Sequence, residues 1–144
     1  MHRSLTTAAI LTLAVGSVSA QNFYTINGQS VLARWDTSNL ATPISGALLN
    51  AGTTGSGAPI IVGLADIDFR PSNGLLYGID STGIYTVNTS TGFCTLVGPL
   101  GMSFQPIAMD FNPQTDEIRA VGTMAGVRKN VRINPDTGAI ISVD

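Results

Sequence analysis

The sequence predicts an all-β fold of β-propeller type. It reads as repeats of antiparallel four-stranded blades, about two and two-thirds of them, in a ring not closed by this chain alone. Three observations carry this. Ile67-Asp68-Phe69-Arg70-Pro71 returns 42 residues later as Met109-Asp110-Phe111-Asn112-Pro113, and about 40–45 residues of short strands is the size of one blade. Beyond residue 20, nearly every apolar segment runs four to eight residues between Gly, Asn, Asp, Ser or Thr, which is strand spacing. The connectors Asn27-Gly28, Ser72-Asn73-Gly74, Ser81-Thr82-Gly83, Ser90-Thr91-Gly92 and Asp136-Thr137-Gly138 combine residues that accept positive φ with side chains that bond the local backbone.

The elements follow in order. Residues 1–20 read as a signal peptide: a short basic start at His2-Arg3, an apolar run from Leu5 to Val15, and a small-x-small cleavage site at Val18-Ser19-Ala20. Cleavage there leaves 124 of the 144 residues, one domain over 21–144. Strands are expected at 22–26, 31–36, 42–49, 60–69, 75–80, 83–88, 94–98, 106–112, 117–123, 129–134 and 139–143. They group into a partial blade at 22–49, a blade at 60–98 and a blade at 104–143. Phe23-Tyr24-Thr25-Ile26-Asn27 matches Leu76-Tyr77-Gly78-Ile79-Asp80, so the partial blade lacks its innermost strand. Val87-Asn88-Thr89-Ser90-Thr91-Gly92 matches Ile133-Asn134-Pro135-Asp136-Thr137-Gly138 at an offset of 46, which places about four extra residues in the loop Thr123–Asn130. Closed propellers use about four to eight blades. A chain of fewer is therefore expected to be a fragment that pairs with the missing repeats, to pair with another copy, or to pack as an open sheet array or sandwich; a truncated product without retained function is a further reading.

Composition excludes several function classes. Without Arg3 there are six basic against nine acidic side chains, which gives no electrostatic footprint for nucleic acid or an anionic membrane. No stretch after the signal has the length and apolarity of a membrane-spanning helix. Cys94 is the single cysteine, so no intrachain disulfide framework forms, and its strand-like surroundings read as those of a buried thiol. The only histidine is His2, inside the signal. That removes histidine-based nucleophile systems and histidine-ligated metals from the mature chain. The glycines sit in turns rather than in a phosphate-cradling loop.

Carboxylates are what remains for chemistry. Asp66 and Asp68 share one face of their strand, because side chains alternate along it, and Asp110 is the repeat counterpart of Asp68. Such acids could serve as a glycosidase pair or bind Ca²⁺ through oxygen. The structural alternative is that Asp before Phe-x-Pro accepts backbone N–H bonds where the strand turns. Arg70, Arg119, Arg128, Lys129 and Arg132 could present a basic patch to an anionic glycan, with Met124–Lys129 as its loop; a solvated turn is the competing reading. Tyr24, Tyr77, Tyr85 and Trp35 could stack on sugars or pack between sheets. Asn88-Thr89-Ser90 is a glycosylation sequon in a eukaryotic host.

Three phrases taken together point to a family. They are Ile67-Asp68-Phe69-Arg70-Pro71 with Leu75-Leu76-Tyr77-Gly78, Met109-Asp110-Phe111-Asn112-Pro113 with Asp116–Val121, and Val131-Arg132-Ile133-Asn134-Pro135-Asp136-Thr137-Gly138. They resemble the exported propeller-like proteins of domain-of-unknown-function family 4394, over about Asn22 to Val143. The resemblance implies a propeller-like fold and a secreted, periplasmic or cell-surface location. It carries over no reaction and no catalytic residue. The function expected is an exported non-enzymatic binding or interaction module without a cofactor, taking an extracellular glycan or protein. A carboxylate-based hydrolase of carbohydrate or lactone is the enzyme alternative.

Overall fold

Four antiparallel sheets follow one another along the chain, each a meander in sequence order. The computed structural model describes residues 21–144, so the expected signal segment lies outside the described residues. The first sheet has three strands, β1 (Asn22–Ile26), β2 (Val31–Asp36) and β3 (Ser45–Leu48). A small hairpin follows, β4 (Asn50–Thr53) with β5 (Pro59–Ile61). The second large sheet is β6 (Asp66–Phe69), β7 (Leu76–Ile79), β8 (Gly83–Val87) and β9 (Cys94–Pro99). The third is β10 (Gln105–Asn112), β11 (Glu117–Met124), β12 (Val127–Ile133) and β13 (Ile140–Val143). There is no helix among the described residues, and none of the sheets closes into a ring. The fold is all-β, consistent with partial propeller-like blades.

The expected repeat register holds in detail. β7 sits on β6 with Asp68 opposite Tyr77, and β11 sits on β10 with Asp110 opposite Arg119. Among the described residues, the first sheet has no counterpart of β6, as the matched phrases predict. Two expected strands need correction. The strand at 42–49 is confined to β3, because Asn50 donates from Nδ2 to the Leu48 carbonyl and accepts the Gly52 N–H, turning the chain about the fully buried Leu49. The strand at 60–69 divides into β5 and β6. Val62 between them turns inward, its side chain buried and its N–H bonded to the Leu49 carbonyl.

The expected loop over Thr123–Asn130 is also corrected. Its extra residues lengthen β11 and β12, which meet at a two-residue turn, Ala125-Gly126, with φ of 49° and 80°. Positive φ at both positions matches the twist of the flanking strands.

Two apolar clusters lie on opposite faces of the second large sheet. Tyr77, Ile79 and Ile84 pack against Phe104, Met109, Phe111, Ile118, Ala120, Val131 and Ile133 of the third sheet and its approach. Leu76, Val87 and Cys94 pack the other way, against Leu32, Leu49 and Val62. β7 is buried along its whole length because side chains of both parities meet a neighbouring layer.

Candidate functional site

The aspartates singled out above lie on β6 and β10, the innermost strands of their sheets. Arg70 N–H bonds the Leu75 carbonyl, so residues 66, 68 and 70 exchange ladder bonds with β7. The N–H groups of Ile67 and Phe69 therefore face the open edge. Each aspartate caps two such groups. Asp66 accepts the Ile67 N–H at 2.9 Å on Oδ1 and the Met109 N–H of β10 at 2.8 Å on Oδ2. Asp68 accepts the Phe69 N–H at 2.8 Å and the Phe111 N–H of β10 at 2.8 Å. Two carboxylates thus cap four edge amides on two sheets. This agrees with the structural reading of Asp before Phe-x-Pro, with the difference that half of the bonds cross to the next sheet.

Asp110 does not repeat the pattern. It is exposed, and the amide that follows it, Phe111 N–H, is taken by Asp68. Burial pushes the Asp68 carboxyl above its ordinary value of 3.8, and the neighbouring Asp110 adds to this, while the Phe111 and Phe69 N–H groups oppose it. Asp110 lines a shallow cleft of about 220 Å³ with Ala108, Arg119, Val121 and Asn130. Among the described residues, no three His, Cys, Asp or Glu side chains gather as a metal site.

A second charged cluster is the one that sequence reasoning missed. Arg70 is buried at 8% exposure and bridges the second and third sheets. Its Nε and Nη2 donate to Asp116, and its Nη1 and Nη2 to Asp136. Nη1 also donates to the Tyr77 hydroxyl at 3.3 Å. Asp116, then Asp136, hold the guanidinium more firmly protonated than usual, and Arg70 holds the Asp116 carboxyl below its ordinary range. Asp116 adopts φ of 56°, where its repeat counterpart is Gly74 at 69°. A signal was present in the repeat itself: Arg70, Asp116 and Asp136 stand where the other copy has Asn112, Gly74 and Ser90. All three departures converge on one ion cluster. With its guanidinium engaged by two carboxylates and a hydroxyl, Arg70 is an inter-sheet lock rather than an anion receptor.

Arg128 and Lys129 are neighbours on β12 and so point to opposite faces. Arg119 pairs with Asp144 at 3.1 Å and Arg132 with Glu117 at 3.6 Å. Tyr77 meets Phe111 edge-on at 5.3 Å between sheets, and Tyr24 meets Phe69 likewise at 5.6 Å. Trp35 stacks on Phe23 within the first sheet and donates Nε1–H to Thr25 at 2.9 Å. Asn88 accepts the N–H groups of Ser90 and Thr91, forming the turn. Cys94 is buried, its thiol pushed up to about 11 by burial, which suits an inert core residue. A groove of about 310 Å³ is lined by Tyr24, Phe69, Leu75 and Val87–Ser90.

The repeat register, the edge-capping aspartates and the lock at Arg70 all fall within the stretch that carries a family match: residues 50–144 match a family described as domain of unknown function, DUF4394. The chain belongs to DUF4394. The DUF4394 match takes in the small hairpin and both four-stranded sheets, while the first sheet precedes it. No curated protein matches the chain.

Proposed function

We propose that this DUF4394 protein is an exported, non-enzymatic binding or interaction module. One observation carries the non-enzymatic part. Asp66 and Asp68, the acids best placed for catalysis by sequence, spend all four carboxylate oxygens on backbone N–H groups. Held by two N–H bonds each, these carboxylates are committed to joining the sheets, and neither lines the groove at Tyr24 and Phe69 or the cleft at Asp110. Export is supported by the basic start, the apolar run and the small-x-small site within residues 1–20. A binding role is supported by the open groove at Tyr24 and Phe69 and by exposed apolar side chains on the first sheet, Phe23 and Leu48 among them.

The test has two parts. Secretion from a host carrying the full gene, followed by N-terminal sequencing, should give a product beginning at Gln21; one beginning at Met1 refutes export with cleavage. The purified protein should turn over no member of a panel of aryl glycosides and lactones. Turnover that disappears in Asp68→Asn or Asp110→Asn would instead establish the carboxylate hydrolase.

A further inference from the structure

Two copies of one contact differ at the inner edge of the first sheet. Tyr24 stands to Phe69 as Tyr77 stands to Phe111, with edge-on rings in both pairs. Yet Phe111 is 3% exposed and Phe69 is 39% exposed. The difference is β6. Beside Tyr77 it contributes a strand that pairs with β7, sits against β10 and caps the Phe111 amide. Beside Tyr24, among the described residues, no strand takes that place.

The edge itself is ready for pairing. Thr37 N–H bonds the Gln21 carbonyl and Asn27 N–H bonds the Val31 carbonyl, so Gln21, Phe23, Thr25 and Asn27 exchange ladder bonds with β2. Alternation turns the N–H and C=O groups of Asn22, Tyr24 and Ile26 to the unpaired side. Next to them, the Ile67 and Phe69 amides are capped only by the aspartate preceding each in its own strand. Their counterparts Met109 and Phe111 are claimed by carboxylates of the preceding sheet's inner strand.

We infer that the inner edge of β1 is a strand-addition site for a partner polypeptide carrying an Asp-x-Asp β-strand. This rests on the binding-module reading and names the partner's chemistry. The register follows from the match of 76–79 to 23–26 and the pairing of Asp66 with Ile79 and of Asp68 with Tyr77. The incoming strand runs antiparallel to β1, its first Asp opposite Ile26 and its second opposite Tyr24. Those carboxylates then reach the Ile67 and Phe69 N–H groups, and the strand covers the Phe69 ring. Main-chain pairing supplies affinity and the alternate carboxylates supply specificity. The chain's own Asp-x-Asp, Asp66–Asp68, is already engaged between β7 and β10.

The experiment uses the full chain and a labelled, end-capped peptide copying Leu64–Pro71, Leu-Ala-Asp-Ile-Asp-Phe-Arg-Pro. Fluorescence anisotropy should give saturable binding. Replacing both Asp by Asn should weaken it at least about tenfold, since charge-assisted bonds to the amides are lost. N-methylation of the second Asp, which blocks a ladder bond to β1, should abolish it. Hydrogen exchange should slow at the Tyr24, Ile26, Ile67 and Phe69 amides. Absence of binding, indifference to both peptide changes, or protection confined to other strands overturns the site. Light scattering on the same sample keeps the two levels apart: association with other copies but no uptake of the peptide removes the strand site and leaves the module reading intact.

Discussion

Asp66 and Asp68 each serve two backbone amides, and the energetic role of Asp68 depends on its environment. Asp68→Ala strands the half-buried Phe111 N–H and should cost about 2 kcal/mol in urea unfolding. Asp68→Asn keeps one of the two acceptor oxygens and removes repulsion from Asp110. Because folding raises the Asp68 pKa, its contribution is complete below the ordinary 3.8 and is lost as pH rises through the folded value. The Asn variant should therefore gain on the parent as pH rises from the ordinary 3.8 through the folded value; a difference that stays constant with pH would contradict the shift. Asp116 has the opposite sign: Arg70 depresses its pKa, so its contribution is present above 3.8 and is lost as pH falls through the folded value. Gly98 and Gly138 pose a separate constraint. A Cβ on Gly98 would run into the Thr137 carbonyl, and one on Gly138 would meet Gly98. Gly98→Ala should cost about 1–3 kcal/mol from overpacking, against about 1 kcal/mol for Gly74→Ala, where only the φ of 69° is strained. Thermal or urea unfolding of the pair checks the difference.

Strand identity was readable wherever apolar alternation and turn residues coincided, as at β1, β2, β7, β8 and β11. It failed where a side chain rather than a turn dipeptide bent the backbone, as Asn50 does between β3 and β4. The lengthened β11–β12 hairpin was half concealed: Gly126 is a turn residue, but Ala125 at positive φ carries no Asn or Gly signature. The site was half legible. The parity of Asp66 and Asp68 gave their shared face, but their partners on β10 lie 43 residues away, beyond the reach of any local pattern. The Arg70 lock was hidden because its three members are spread over two sheets and look ordinary one at a time. Each sheet's hold on the next should show in its core: Ile118→Ala, at a fully buried position on β11, should cost about 2–5 kcal/mol. Denaturant unfolding reads this, and a loss below about 1 kcal/mol would mean that the cluster relaxes around the gap.

The three large sheets of the molecule are joined by contacts between successive layers, and the outer layers keep apolar side chains exposed. Phe23 and Leu48 on the first sheet and Ile107 and Val121 on the third are each between 39% and 52% exposed. Surfaces of this kind favour association. The protein should form dimers or larger assemblies at micromolar concentration, measured by light scattering after size exclusion, and a compact monomer that binds no apolar dye would refute this.

The second large sheet separates two apolar clusters that share no residue. Such an arrangement behaves as a short nearest-neighbour array, in which total stability is a sum of layer and interface terms and unfolding need not be all-or-none. The third sheet is fastened to the second by a core cluster, two cross-sheet carboxylates and the Arg70 lock. The first sheet has a smaller cluster and the close seating of Gly92 on the Leu48 carbonyl. Under mild denaturant the first sheet should melt ahead of the remainder, seen as early exchange of the Leu32 amide while that of Val131 stays protected. The two halves of the molecule would then differ in lifetime, the first sheet opening and closing many times before the other two come apart.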